Sequence, residues 1–115
     1  MRQIFYYAHN KKNSPAVTVC LLEDKGEISR GVAICSPGER AVKSFGREFA
    51  FNRAQEAMAT KATTMLVRSP VALSVVFEVI RRQKSLYFFA YKSEYNPKLN
   101  PYEAKLLQAE KRSKQ

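Results

Sequence analysis

Up to residue 36 the chain alternates apolar and polar positions with a period close to two. Gln3 to Ala8 puts Ile4, Tyr6 and Ala8 on one side and Phe5 and Tyr7 on the other, and Ala16 to Leu22 is β-branched and mostly apolar. Asp24-Lys25-Gly26 is a turn signal that leads into Ile28 to Cys35. Asn10-Lys11-Lys12-Asn13-Ser14-Pro15 is a loop by composition. The pattern predicts a three-stranded antiparallel meander whose turn pairs residue 20 with residue 30 or 31.

Beyond Ser36 the period lengthens. Ser36-Pro37-Gly38-Glu39 combines a capping hydroxyl, a proline suited to a first turn and a glutamate three residues on, and Asn100-Pro101-Tyr102-Glu103 repeats that logic. A long helix is expected over about 37–64, with Val42, Phe45 and Phe49 as its apolar stripe and Ala41 and Ala57 at the edges. Gly46 costs that helix about 1 kcal/mol relative to Ala, which suggests either a close packing contact or a tolerated surface glycine. Residues 70–82 satisfy both a helix and a strand template. Leu86 to Tyr91 reads as a strand, and about 101–112 as a C-terminal helix. The fold class is therefore α+β: one domain over 1–112 with an antiparallel sheet of about four strands, covered on one face by helices, and a frayed basic tail at 113–115.

At 115 residues there is room for one hydrophobic core, and 45 % apolar with 11 % aromatic residues suits a folded chain. The longest apolar runs fall far short of the roughly 20 residues that span a bilayer, and the N-terminus has no signal-peptide pattern. Cys20 and Cys35 are out of register for a disulfide across the predicted turn, so free thiols and a cytoplasmic setting are expected. With one histidine, no phosphate-cradling Gly loop and no nucleophile elbow, neither a metal, a cofactor nor an enzymatic activity is expected.

Charge changes the picture most. Lys and Arg total 20 against 10 acidic residues, a net +10, and the excess is not confined to the tail. Such a surface attracts polyanions. On the long helix Arg40, Lys43 and Arg47 fall within about 60° of one another, with Phe51 and Met58 continuing the strip. Cations near a helix N-terminus oppose the macrodipole, so they point to phosphate binding, unless Glu39 and Glu48 neutralise them as ordinary surface pairs. Arg53 sits on the side of Phe49 and Val42. Strict alternation puts Arg30 on the face of Ile28, Val32 and Ile34, unless Gly31 introduces a bulge. Two such arginines make either a concave anion site or buried pairs with Glu48, Glu56 or Glu78. Arg81, Arg82 and Lys84 precede the aromatic run 86–91, where Tyr87 and Tyr91, like Phe51 on the helix, are candidates to stack on bases. The same aromatic run also reads as core and subunit contact.

The stretch Arg30-Gly31-Val32-Ala33-Ile34-Cys35-Ser36-Pro37, followed by Phe45-Gly46-Arg47-Glu48-Phe49-Ala50-Phe51-Asn52-Arg53-Ala54, resembles a pattern in small uncharacterised bacteriophage and prophage proteins. There a strand ends in a short polar turn and feeds a helix carrying Gly-Arg-x-x-Ala-x-x-Arg-Ala. The resemblance covers about 25 residues and departs at Ser36-Pro37-Gly38-Glu39, where those proteins carry an acidic residue after the turn. It implies a bacterial cytoplasm and a role in host takeover, gene control or counter-defence.

Taken together, the sequence leads to a non-enzymatic protein that grips a phosphate-bearing ligand, above all nucleic acid, through Arg40, Lys43, Arg47 and the 81–84 group. Two alternatives remain open. One is a counter-defence protein that sequesters a small nucleotide signal, cyclic or not, in a pocket lined by Arg30, Arg47, Arg53 and an aromatic, and the other is direct inhibition of a host protein. A homo-oligomer is expected under all of them, because the strand 86–91 must be covered.

Overall fold

A computed structural model describes residues 1–9, 15–34, 43–62, 64–65 and 92–113. In chain order the elements are β1 (Arg2–His9), β2 (Pro15–Asp24), β3 (Glu27–Ile34), α1 (Lys43–Thr60), β4 (Thr64–Met65), β5 (Lys92–Tyr95) and α2 (Pro101–Ser113). All strand pairs are antiparallel, and the sheet order is β1-β2-β3-β5-β4. The class is α+β, with the meander where the alternation placed it.

The β2–β3 turn sets the register. Lys25 and Gly26 both have positive φ, 52° and 81°, the backbone of a two-residue turn whose twist matches its flanking strands. Asp24 therefore faces Glu27, and Cys20 faces Gly31. No bulge interrupts β3, so alternation holds and Arg30 stays on the side of Ile28 and Val32. On the other edge β1 pairs with β2 from Arg2↔Glu23 to Ala8↔Val17, with one irregularity between Ala8 and His9.

The helices lie on opposite faces of the sheet, not on one face as the sequence suggested. Tyr6, Ala8, Val17, Val19, Leu21 and Val32 pack against Leu106 and Leu107 of α2. Cys20, Leu22 and Ala33 pack against Ala50 and Ala54 of α1. Alternation explains this: both sides of β2 carry apolar residues, so each needs its own cover.

The buried side of α1 also differs from expectation. Phe45 and Phe49 are exposed, and the residues turned to the sheet are Gly46, Ala50, Ala54 and Ala57. Phe51 and Met58, expected on the cationic strip, are half-buried against Cys20 and Leu22. The cause is the strand surface beneath. A Cβ on Gly31 would lie 1.9 Å from the Ala50 carbonyl oxygen, and one on Gly46 would lie 2.4 Å from Thr18 Oγ1. The Ser29 hydroxyl donates to the Ala54 carbonyl at 2.7 Å, so strand and helix backbones meet with almost nothing between them. Large side chains would hold the helix off, and only small ones fit this stripe.

The helix ends at Thr60, short of the expected residue 64. Lys61 takes a left-handed conformation, φ 54°, and the Ala62 N–H donates back to the Ala57 carbonyl, closing the end in the manner usually given to glycine. Thr64 and Met65 then pair with Ser93 and Lys92. At the other helix the anticipated capping box is present: the Glu103 N–H donates to Asn100 Oδ1 at 2.7 Å, and the Asn100 N–H to Glu103 Oε1 at 3.1 Å. The expected helix start at 37–42, the ambiguous stretch 70–82, the strand 86–91 and Cys35 lie outside the described residues. Among the described residues no helix is long and apolar enough to cross a membrane.

The two glycine contacts predict an ordered pair of costs. Gly31→Ala drives a methyl into backbone and should lose about 3 kcal/mol or more in urea denaturation. Gly46→Ala meets a side chain and gains about 1 kcal/mol of helix propensity, so its net loss should be clearly smaller.

Candidate nucleic-acid interface

Among the described residues Arg30 is the largest fully buried side chain, 1 % exposed in the middle of the sheet face under α2. A guanidinium there demands full pairing, because an isolated buried charge costs several kcal/mol. Its Nε donates to Glu103 Oε2 at 2.8 Å and its Nη2 to Glu103 Oε1, a two-pronged clasp. Nη1 donates to Glu94 Oε2 at 2.6 Å, and Nη2 also reaches the Lys98 carbonyl at 3.2 Å. Glu103, 0 % exposed, accepts the Tyr6 hydroxyl as well, at 2.8 Å, while Tyr102 stands edge-on to the Tyr6 ring with centroids 5.3 Å apart.

These contacts correct the expectation that Arg30 holds a phosphate. Its guanidinium is taken up by two carboxylates, neither of them among the candidates Glu48, Glu56 and Glu78. Burial alone would lower its pKa, but the hydrogen bond and charge of Glu103, with Tyr6 and Glu94, hold it raised. Burial first, then the charge and hydrogen bond of Glu103, push the Tyr6 hydroxyl above its ordinary value. Nor do Arg30 and Arg53 share a pocket, since Arg30 lies under α2 and Arg53 belongs to α1 on the opposite face.

Arg53 is half-buried at the border of α1. The β3–β5 ladder ends at Arg30↔Glu94, so the next outward-facing backbone groups, those of Val32, need other partners. The Val32 N–H donates to Ser93 Oγ at 3.3 Å, and Arg53 Nη1 donates to the Val32 carbonyl at 2.8 Å. The Arg53 guanidinium also lies 5.9 Å from the Phe49 ring centroid. Burial lowers its pKa, and Glu56 opposes that shift. Arg53 thus helps finish the sheet edge, and part of it stays open to solvent.

Arg47 is exposed. It rises from the first half of α1, and its Nη1 donates to the Tyr7 hydroxyl of β1 at 3.0 Å. Lys43 opens the same helix, whose first turn holds no acidic residue. Arg40, Arg81, Arg82, Lys84, Tyr87 and Tyr91 lie outside the described residues, and Phe51 is half-buried against the sheet rather than turned out to stack.

Acidic groups gather at the other end of the sheet. Around the β2–β3 turn Asp24 lies 4.0 Å from the N-terminal amine, Glu23 pairs with Arg2 at 3.0 Å and Glu27 with Lys61 at 2.8 Å. Tyr95 also donates to Glu27, at 2.8 Å, beneath the Lys61 ammonium. The Lys61 hydrogen bond, then that of Tyr95, lowers the Glu27 pKa, and Lys61 is raised in return. With Glu94 and Glu103 committed to Arg30, much of the acidic complement is used inside the fold. The end bearing Tyr7 and the start of α1 carries the exposed Arg47, with Glu48 exposed next to it in the chain. Among the described residues no group of three or more potential metal ligands comes together.

Two outcomes test this arrangement. Glu103→Ala strands the Arg30 charge and should cost about 3–5 kcal/mol in urea denaturation, whereas Arg30→Met with Glu103→Leu should recover a large part of that loss. Alkali should destabilise the protein through two groups. Cys20, buried, has its thiol pushed up to about 12, and Tyr6 is raised as well. A folded-state pKa above the unfolded one gives stability that is complete below the unfolded value and fades as pH rises past it, here from about pH 9 upward. Denaturation midpoints followed from pH 7 to 11 should therefore fall, and the fall should be shallower in Tyr6→Phe.

Comparison of the chain with protein-family models, with curated proteins and with solved structures finds no match.

Proposed function

We propose that the protein is a small, non-enzymatic nucleic-acid-binding protein that holds phosphates at the end of its sheet where Arg47 meets Tyr7. The observation that carries this reading is the excess of positive charge, with an exposed arginine in the first half of α1. The chain bears +10, its acids at the β2–β3 turn are paired with local cations, and Arg47 stands exposed beside Tyr7 on a helix with no acid in its first turn. Helix N–H groups and an arginine held by a tyrosine hydroxyl offer phosphate oxygens both charge and direction. Lys43 and Arg40 precede Arg47 in sequence, Arg53 lies on the same helix, and Arg81, Arg82 and Lys84 extend the basic complement. Attraction of this kind is spread over many phosphates and reads sequence weakly. The nucleotide-pocket alternative loses support, because Arg30 is withdrawn from it onto the other face. The resemblance to phage proteins supplies the setting, a bacterial host.

The test is a salt titration against fluorescently labelled single- and double-stranded DNA, read by anisotropy. Binding should weaken between about 50 and 200 mM salt with a log–log slope of about −0.7 to −0.9 per phosphate held. Arg47→Ala should cost less than about tenfold in affinity and remove about one phosphate from that slope. Absence of binding at the low-salt end, or binding indifferent to salt, refutes the reading.

A further inference from the structure

The backbone direction of the whole meander follows from two hydrogen bonds on β3. The Asn96 N–H donates to the Ile28 carbonyl and the Arg53 guanidinium to the Val32 carbonyl, so Ile28, Arg30 and Val32 turn their backbone groups away from β2. Backbone groups alternate sides along an antiparallel strand, so Ser29, Gly31 and Ala33 turn theirs toward β2. Carried through the uninterrupted registers, this makes Arg2, Ile4, Tyr6 and Ala8 the residues of β1 that bond to β2. Gln3 and Phe5 turn their N–H and C=O groups outward. Among the described residues β1 ends the sheet, with a partner strand on one side.

An edge of this kind is normally guarded by a proline, a bulge or a charge. Gln3 to Ala8 holds no proline, no glycine and no charged residue, and the one irregularity falls beyond it, between Ala8 and His9. The side chains carry the same mark on both faces. Ile4 packs toward α2 and Phe5 toward α1, and both are half-buried, whereas Leu21 and Cys20 directly across from them are 1 % and 0 % exposed. β2 and the helices already lie against Ile4 and Phe5, so the surface still open is on the outer side. An added apolar strand satisfies the outward backbone groups and covers both faces at once.

This chain supplies such a strand in β1 itself. Antiparallel pairing of two copies, with Gln3 of each opposite Phe5 of the other, joins the outward groups of both residues. It sets Ile4 against Ile4 on the α2 side and lays the Gln3 stems beside the Phe5 rings on the α1 side. The Arg2 side chains then face Tyr6 rather than each other, and each stays paired with Glu23 of its own copy. We infer that β1 pairs with β1 of a second copy through Gln3 and Phe5, joining two sheets into one across a two-fold axis. The expected homo-oligomer contact at 86–91 is a different one, and this contact stands independently of nucleic-acid binding.

The experiment follows the mass of wild type, Gln3→Pro and Gln3→Ala by sedimentation from about 1 to 300 µM, with amide exchange of wild type read at both ends of that range. Wild type should pass from one chain mass to two. Because each copy carries +10, added salt should strengthen this association, opposite to its effect on phosphate binding. Proline removes an outward N–H and leaves the β1–β2 ladder intact. Gln3→Pro should therefore keep a single-chain mass and melt like dilute wild type, while Gln3→Ala associates like wild type. The Gln3 and Phe5 amides should exchange at least about tenfold more slowly at the high concentration. A single-chain mass throughout overturns the inference, as does equal association of Gln3→Pro, which would put the contact elsewhere. Slow exchange of both amides already at the lowest concentration overturns it too, since the edge would then be covered within one chain. If Gln3→Pro does not fold, wild type decides alone: no slowing of Gln3 and Phe5 as the mass doubles overturns the inference.

Discussion

The pairing of Arg30 with Glu103 is the constraint on which the two-faced architecture depends. A sheet with apolar residues on both sides must be covered twice, and either helix has enough apolar surface to stick in several ways. A guanidinium in the middle of one face removes most of those ways. Only a cover that brings a carboxylate to that point, with the remaining donors satisfied, avoids stranding the charge. Glu103 meets the condition and at the same time closes the capping box that starts α2. Initiating the helix and docking it therefore use the same side chain. Such a pair adds little net stability over apolar residues of similar size; what it supplies is selection of one register.

The opposite face is governed by closeness. Gly31 and Ser29 bring β3 into contact with the backbone of α1, and the helix answers with Gly46, Ala50, Ala54 and Ala57. This rigid, shallow contact fixes the rotation of α1 about its own axis. That rotation in turn decides which side chains the protein shows to its surroundings: Arg47 beside Tyr7, Arg53 along the sheet edge, and the phenylalanines facing out. The surface chemistry is thus a consequence of what two glycines permit beneath it.

Local features were legible in the sequence and distant ones were not. The Lys25-Gly26 turn and the Asn100–Glu103 cap each depend on residues within four positions of each other, and both stand where the pattern put them. The face of α1 was misread because hydrophobic periodicity weighs Phe45 and Phe49 above alanines, whereas the strand beneath rewards small volume. The end of the helix was placed too late because Lys61 takes the left-handed cap that a glycine would have announced. Arg30 stands out in the sequence as a charge on an apolar face, but its partner lies 73 residues away, beyond any local signal. In the sequence Glu103 announces a capping role alone.

That separation bears on how the chain is made. At roughly 5–20 residues per second of synthesis, Arg30 precedes Glu103 by about 4–15 s. The three strands of the meander are neighbours in sequence and all precede α2, so throughout that interval Arg30 lacks the segment that covers it. A hydrophobic segment that drifts onto this face during the wait would have to strip the guanidinium of water without compensation. Order of synthesis thus enters the energetics: until Glu103 exists, covering this face strands a charge.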